Sequence, residues 1–355
     1  MIRRKTVDII KIYFEMIKTA TEFAFAGLKG ETGMITTVTL NPAVDKTIEI
    51  ESFTIGTVNR VSVVRSDPGG KGINVSKVVA ALGGNSRVMA VLGGASGFAI
   101  ADALKTPGLT VDLLFTGEET RTNIKIIDRV GHTNTDINER GKPVDNAVLA
   151  VVLEKLLTGL APGDIVVLAG SLPEGAPRTL YRDWTAACKA KGAKVFLDAD
   201  DDLLALGVTA APFLVKPNSD ELSRLCGGPL TTRQALIAAG RSLLEQGIER
   251  VVVSLGAKGA LLLTQNKTQC AEGLKVAVKS TVGAGDAMVA ALAYGEECGL
   301  ETEEAFRLAI AASAASVMCS GTQAAALSEI EELLPLIKIQ RLDGAALSYL
   351  HHIVD

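Results

Sequence analysis

The run IVVLAGSLPEG, Ile165 to Gly175, is apolar through Ala169 and then breaks on Gly170 and Ser171. No polar residue alternates with the apolar ones, as it would in a strand with one face in water. A strand apolar on both faces suits a parallel sheet covered by helices on either side. Three further runs repeat the pattern: KVFLDA (194–199), FLVK (213–216) and RVVVSL (250–255). Between them lie stretches with helical spacing, such as PRTLYRDWTAACKAKG and TTRQALIAAGRSLLEQG. Alternating strand and helix implies right-handed βαβ units.

The first third reads differently. TIEIESF, RVSVVRS and NIKIIDRV alternate apolar and polar residues, which suits strands with one wet face. They interrupt the α/β order around expected helices at 73–83 and near 96–105. This predicts a small sheet standing off the main one as a lid. Ligands in such folds lie beyond the carboxyl ends of the parallel strands. That directs attention to Asn41, Asp45, Gly170, Ser171, Lys216, Asn218, Ser254 and Gly256.

The chain has 355 residues, 48% hydrophobic and 21% charged, which is globular composition. Net charge is −4 with scattered basic residues, so no nucleic-acid surface is expected. Five cysteines show no CxxC and no short metal spacing, as in a reduced cytoplasmic protein. Charged residues interrupt the apolar patches of the first 30 residues, so neither a secretory core nor a membrane span is expected. Met34 stands directly before the first strand pattern, ITTVTL. Residues 1–33 are therefore expected outside the fold, with one amphipathic helix conceivable in 7–26, and 341–355 as a tail.

The chemistry-bearing motifs follow the strands. TVGAGD (281–286) runs into an apolar helix, 287–295. The glycines let backbone N–H groups point into one concavity, and the helix N-terminus adds positive charge, which suits an anion. Asp286 at its mouth is placed to take a proton from an attacking hydroxyl; it is equally a helix cap. An ordinary aspartate pKa of about 3.9 would leave it ionised at neutral pH. GGKGIN (69–74) is a second glycine cluster before a helix, without the Walker A Ser or Thr after Lys71. VTLNPAVD (38–45) brings Asp45, a group that can accept two sugar hydroxyls, or a turn with a capping Asp. In TRTNIKI (Thr120–Ile126), Arg121 and Asn123 share one face by the two-residue period. Arg121, and Arg60 in VNRVSV, suit a phosphate or a plain charged surface. In KPNSDEL (216–222), Asn218 and Glu221 lie three apart at a helix start, a spacing that can hold Mg²⁺ directly or through water. SLGAKGA (254–260) offers Gly256 and Gly259 for close approach to a nucleotide.

Taken together, these motifs resemble the ribokinase-like (phosphofructokinase-B) family of sugar kinases, from about Met34 to residue 335. The resemblance implies a three-layer α/β/α fold for 34–340, with a mostly parallel central sheet and lid strands within about 46–66 and 110–137. It implies Asp286 as general base and Gly283, Ala284 and Gly285 as anion hole. Asp45, Gly70 and Asn74 would hold sugar hydroxyls, with Gly69 and Asn123 also at the substrate. Arg121 and Ser171, with Arg60 and Lys71, would hold a phosphate already on the sugar. Lys216, Asn218, Ser254, Gly256, Gly259 and Thr281 would line the ATP site, and Asn218 and Glu221 a Mg²⁺ network. The implied reaction phosphorylates fructose 1-phosphate at its 6-hydroxyl. Tagatose 6-phosphate and fructose 6-phosphate are alternative substrates, and an idle sugar-phosphate sensor is an alternative role. A homodimer through the lid sheet is also implied.

One departure stands out. Relatives continue from KVFLD with Thr-Ser or Ser-Ser, whereas this chain continues with ADDDL (199–203), placing Asp200, Asp201 and Asp202 near the expected nucleotide side.

Overall fold

The computed structural model describes residues 34–342; the amphipathic pattern of 7–26 and nearly all of the expected tail lie outside the described residues. Among the described residues, fourteen strands form two sheets. In chain order they are β1 (Ile35–Thr39), β2 (Ala43–Ile50), β3 (Val61–Gly69), β4 (Ser86–Gly93), β5 (Leu109–Thr116), β6 (Arg121–Asp128) and β7 (Thr133–Asn138). Then follow β8 (Ile165–Ala169), β9 (Lys194–Asp198), β10 (Leu214–Val215), β11 (Arg250–Ser254), β12 (Ala260–Thr264), β13 (Thr268–Ala271) and β14 (Ile339–Arg341).

The large sheet has the order β14-β13-β12-β11-β10-β9-β8-β1-β4-β5. From β5 to β11 every pairing is parallel; β11 to β14 are antiparallel. β1 and β8 are buried at every residue, as the unbroken apolar runs demand. β4 divides its side chains by the period of two. Met89 and Val91 join the core under the helices Asn146–Thr158 and Leu180–Ala190, whereas Val88, Ala90 and Leu92 pack with Ile73 and Ile100 on the other face. Each such buried aliphatic side chain contributes about 1.5–3 kcal/mol, so both faces of the sheet hold the sandwich together. This is a ribokinase-like α/β fold.

The chain leaves β1 toward β4 and β5, then returns to β8 and proceeds the other way. The reversal opens a crevice at the carboxyl ends of β1 and β8, where Asn41, Gly170 and Ser171 follow. The small sheet, of order β3-β2-β6-β7, rises from the same place. β2 starts just beyond β1, across Leu40–Pro42, and β3 ends at Gly69, directly before the helix Lys71–Ala81. The lid is thus anchored in the two motifs that carry Asp45 and Asn74.

The lid strands differ from expectation in one respect. Leu109–Thr116, inside the range expected for the lid, pairs in parallel with β4 and forms the edge of the main sheet. An edge strand has a wet side, with Val111 40% and Phe115 46% exposed, so it imitates the alternation of a lid strand. At the other edge, Arg341 of the expected tail is part of β14 and pairs with Gln269.

Candidate active site

The helix Ala284–Glu297 is buried almost throughout, and it is short-chained enough to lie against the helices Lys71–Ala81 and Thr302–Met318. Its N-cap is Gly283 at φ 84°, a left-handed conformation that favours glycine. Asp286 sits in the first turn and makes no capping bond. Its Oδ2 instead accepts a 2.9 Å hydrogen bond from Asn74 Nδ2, at a site where Asp286 is 7% exposed. The cap reading therefore fails for Asp286: Gly283, three residues earlier, occupies that position. Burial, and then the charge of Asp198, push the Asp286 carboxyl up to about 6. That replaces the ordinary value expected from sequence and is closer to what a base working near neutrality needs.

Asp286 faces a cleft of about 640 Å³ beneath the lid. Across it, β2 and β6 pair so that Asp45 stands beside Asn123, whose Nδ2 donates to Asp45 Oδ1 at 2.9 Å. Burial raises the Asp45 pKa despite that bond. Gly69 lies behind Asp45, where a Cβ would fall 2.1 Å from Asp45 Oδ2; glycine leaves the room that the carboxylate fills. Gly70, Lys71, Asn74, Arg121, Asn123 and Ser171 line the same cleft. Arg121 is partly committed, since its guanidinium donates to the carbonyls of Glu139 at 2.9 Å and Asn41 at 3.1 Å, while its Nε is buried without a partner. Ser171 Oγ accepts from Asn41 Nδ2 at 3.0 Å. Arg60 is not brought to the cleft; it is exposed on the loop between β2 and β3.

Under the cleft floor lies a cluster of alternating charges. Asp198, 2% exposed at the end of β9, has Lys216 at 3.4 Å and Lys71 at 3.5 Å. Burial alone would raise the Asp198 carboxyl, but the two ammonium groups hold it below its usual range. Lys71 also binds Asp200 at 2.7 Å; burial works against its charge, and the two carboxylates still hold it above the ordinary lysine range. Lys71 is thus occupied within the protein. Of the acidic run, Asp200 reaches the cleft, whereas Asp201 pairs with Arg224 at 2.8 Å and Asp202 with Arg178 at the surface.

A second cleft of about 310 Å³ adjoins the first, sharing Asn218, Ser254 and Gly285. Gly256, Gly259 and Thr281 line it, over a floor of Val276, Met288 and Ile310 that suits a flat ring. Lys216 reaches only the first cleft. Asn218 and Glu221 form a capping box: Asn218 Oδ1 accepts from the Glu221 N–H and Glu221 Oε2 from the Asn218 N–H, both at 2.8 Å. One Glu221 oxygen is left for the cleft, and burial raises the pKa of this carboxyl. No cluster of three or more metal-ligating side chains exists among the described residues. The donor set fits Mg²⁺ held through its waters and a nucleotide's phosphates, the usual manner for this ion, and not a protein cage.

Asp198, left open by the sequence because ADDDL follows it, lines the cleft together with Asp200. One cleft residue, Lys125, escaped the sequence reading although it was legible: it continues the two-residue period of Arg121 and Asn123 onto the same face.

A parallel sheet, a lid and a buried carboxylate at a glycine-rich helix start together define a kinase of the ribokinase-like class. The sequence matches the pfkB family carbohydrate kinase domain over residues 38–329. The 1-phosphofructokinase of Bacillus subtilis is 37% identical over 311 residues, 87% of this chain and 100% of that protein. Phosphofructokinase-2 from Escherichia coli, solved in complex with fructose-6-phosphate, superposes with a TM-score of 0.80 at 26% identity, covering 86% of this chain and 99% of the other. Arabidopsis thaliana ribokinase complexed with ribose and ATP gives a TM-score of 0.69 at 25% identity, covering 85% and 99%. The chain belongs to the pfkB family of carbohydrate kinases, and it is a phosphotransferase with an alcohol group as acceptor, similar to the 1-phosphofructokinases.

Proposed function

We propose that the protein transfers the γ-phosphoryl group of ATP to the 6-hydroxyl of fructose 1-phosphate, giving fructose 1,6-bisphosphate and ADP. The observation that carries this is the buried Asp286, held by Asn74 and facing Asp45 and Asn123 of the lid across one cleft. The names of relatives at 37% and 39% identity support the 1-phosphate substrate, and the ribokinase solved with ATP supports the donor.

In this reading Asp45, Gly70, Asn74 and Asn123 hold the sugar hydroxyls. Arg121 and Ser171 hold the phosphate already present. The 6-hydroxyl oxygen attacks the γ-phosphorus, the bond to the β-phosphate oxygen breaks, and the hydroxyl proton passes to Asp286. The N–H groups of Gly283, Ala284 and Gly285, at the positive end of their helix, receive the charge of the group in flight. Ser254, Gly256, Gly259 and Thr281 border the nucleotide, with Lys216 near its phosphates. Asn218 and Glu221 would hold Mg²⁺ through its waters, and the ion would supply charge neutralisation at the nucleotide's phosphates. Arg60 and Lys71 are left out of this assignment, the first for its exposure and the second for its ion pairs.

A coupled assay with ATP and Mg²⁺ tests the substrate. Fructose 1-phosphate is expected to give the highest kcat/KM. A higher value for tagatose 6-phosphate or fructose 6-phosphate would replace it as substrate, and no turnover on any of the three would favour a sensor.

The lid also presents Val61, Val63, Val64 and Ile137, each at least 43% exposed. Apolar exposure of that kind on a β-sheet suits a second copy of the chain, so the assembly is proposed as a homodimer through the lid. Light scattering should give twice the chain mass, and Val64→Lys should return it to one. A wild-type monomer at micromolar concentration would refute the proposal.

A further inference from the structure

Lys125 is a buried cation without a counter-ion. On β6 it lies in register between Thr47 of β2 and Asp136 of β7, and it is 8% exposed. Among the described residues no carboxylate comes within ion-pair distance of it, and Asp136 and Asp45 act on it only from further away. Burial accordingly lowers its pKa. Its hydrogen bond crosses from the lid to the body: Nζ donates to Ser280 Oγ at 3.4 Å. That oxygen also accepts from the Val282 N–H at 3.3 Å, in the loop that leads into Gly283. An ammonium carries three donors, so the other N–H groups of Lys125 remain available to the cleft that it lines.

Arg121 differs, since two of its donors are bound to the backbone carbonyls of Glu139 and Asn41. On the body side, Lys216 approaches the same loop, since a Cβ on Gly285 would lie 3.1 Å from its Nζ. The anion loop is therefore flanked by one lysine from the sheet and one from the lid. A desolvated, unpaired charge is costly, and an anion arriving at that loop would offset the cost.

We propose that Lys125 is a further catalytic residue, an ammonium that the lid presents to the phosphoryl group in flight at the Gly283–Gly285 loop. This rests on the phosphoryl-transfer reading above. Its contact strengthens as charge accumulates between donor and acceptor oxygens, so it acts on the transition state more than on either resting substrate.

The full-length chain carrying Lys125→Met tests it. Removing a donor of this kind is expected to lower kcat by about 10²-fold or more, with the KM for the sugar phosphate little changed. No ion pair is lost, so the melting temperature should not fall. Lys125→Arg keeps the charge and should recover part of the rate. A readout independent of turnover is the binding of ADP with aluminium fluoride, Mg²⁺ and fructose 1-phosphate. Lys125→Met should weaken that complex in step with kcat while ADP alone binds as in wild type. An active wild type matched by Lys125→Met in both measurements overturns the proposal alone. A raised KM with kcat intact overturns it too, since Lys125 would then hold the resting sugar phosphate. A wild type that turns over none of the three sugar phosphates overturns it together with the proposed reaction.

Discussion

Asp286→Asn is expected to cut kcat by about 10²–10⁴-fold, the usual contribution of a positioned base, while leaving the protein more stable than wild type at neutral pH. Both effects come from one property of the site. The carboxyl is buried and close to the charge of Asp198, which moves it from an ordinary 3.8 to about 6. Ionising it inside the fold therefore costs about 3 kcal/mol relative to the unfolded chain. Asparagine carries no such cost. It can still accept from Asn74 Nδ2, and its own amide can donate to Asn74 Oδ1, which now has no partner.

The sign fixes the pH window. A carboxyl raised on folding carries no penalty below its unfolded value, where it is neutral in both states. The penalty grows between 3.8 and about 6 and is complete above that. Asp286→Asn should thus gain most over wild type at pH 7–8, and the gain should vanish below about pH 4. Denaturant midpoints at the two pH values measure it. The same group sets the wild-type rate: kcat should fall as pH drops through about 6, because the base becomes protonated. Near-wild-type turnover by the variant would exclude Asp286 as the base. ATP binding must survive for the loss to be assigned to proton removal.

How far the sequence reached depends on which forces act locally. IVVLAG, KVFLDA, FLVK and RVVVSL were legible as β8 to β11, because burial on both faces leaves no polar position in a strand. GAGD was legible as a loop and helix start because positive φ and a tight turn select glycine. Pairing partners were harder. Leu109–Thr116 alternates like the lid strands, since an edge strand and a lid strand both have one side in water. The hairpin of β12 and β13 escaped notice, because its apolar run looks the same whether the neighbour is parallel or antiparallel. Asn218 and Glu221 were legible as a pair at the right spacing, but not as a capping box, which depends on the orientation of two side chains. The pKa of Asp286 was beyond local reasoning, since it arises from burial and from an acid on another strand.

Asp198 is that acid, and Asp198→Asn is expected to lower the stability of the fold and shift the acid limb of activity in the opposite direction from a loss of cations. Asp198 is 2% exposed and lies between Lys216 and Lys71, at 3.4 and 3.5 Å. Lys71 would keep Asp200 as a partner. Lys216, whose side chain is 7% exposed, would keep no carboxylate within ion-pair distance among the described residues. Removing one member of a buried pair typically costs about 3–5 kcal/mol, because the other charge is left uncompensated. Asp198 is held below its ordinary pKa, so its stabilisation is present above about 3.9 and is lost only as pH falls through its lower folded value. The gap between wild type and variant should therefore be full at pH 7 and close only in stronger acid. In the active site the change removes a negative charge that raises Asp286. The base should then titrate below 6, and the variant should keep a larger fraction of its plateau kcat at pH 5 than wild type does. A midpoint and an acid limb both equal to wild type would mean that Asp198 neither balances the lysines nor tunes the base. A lower midpoint with an unchanged limb would separate the two roles, leaving burial alone to hold Asp286 near 6.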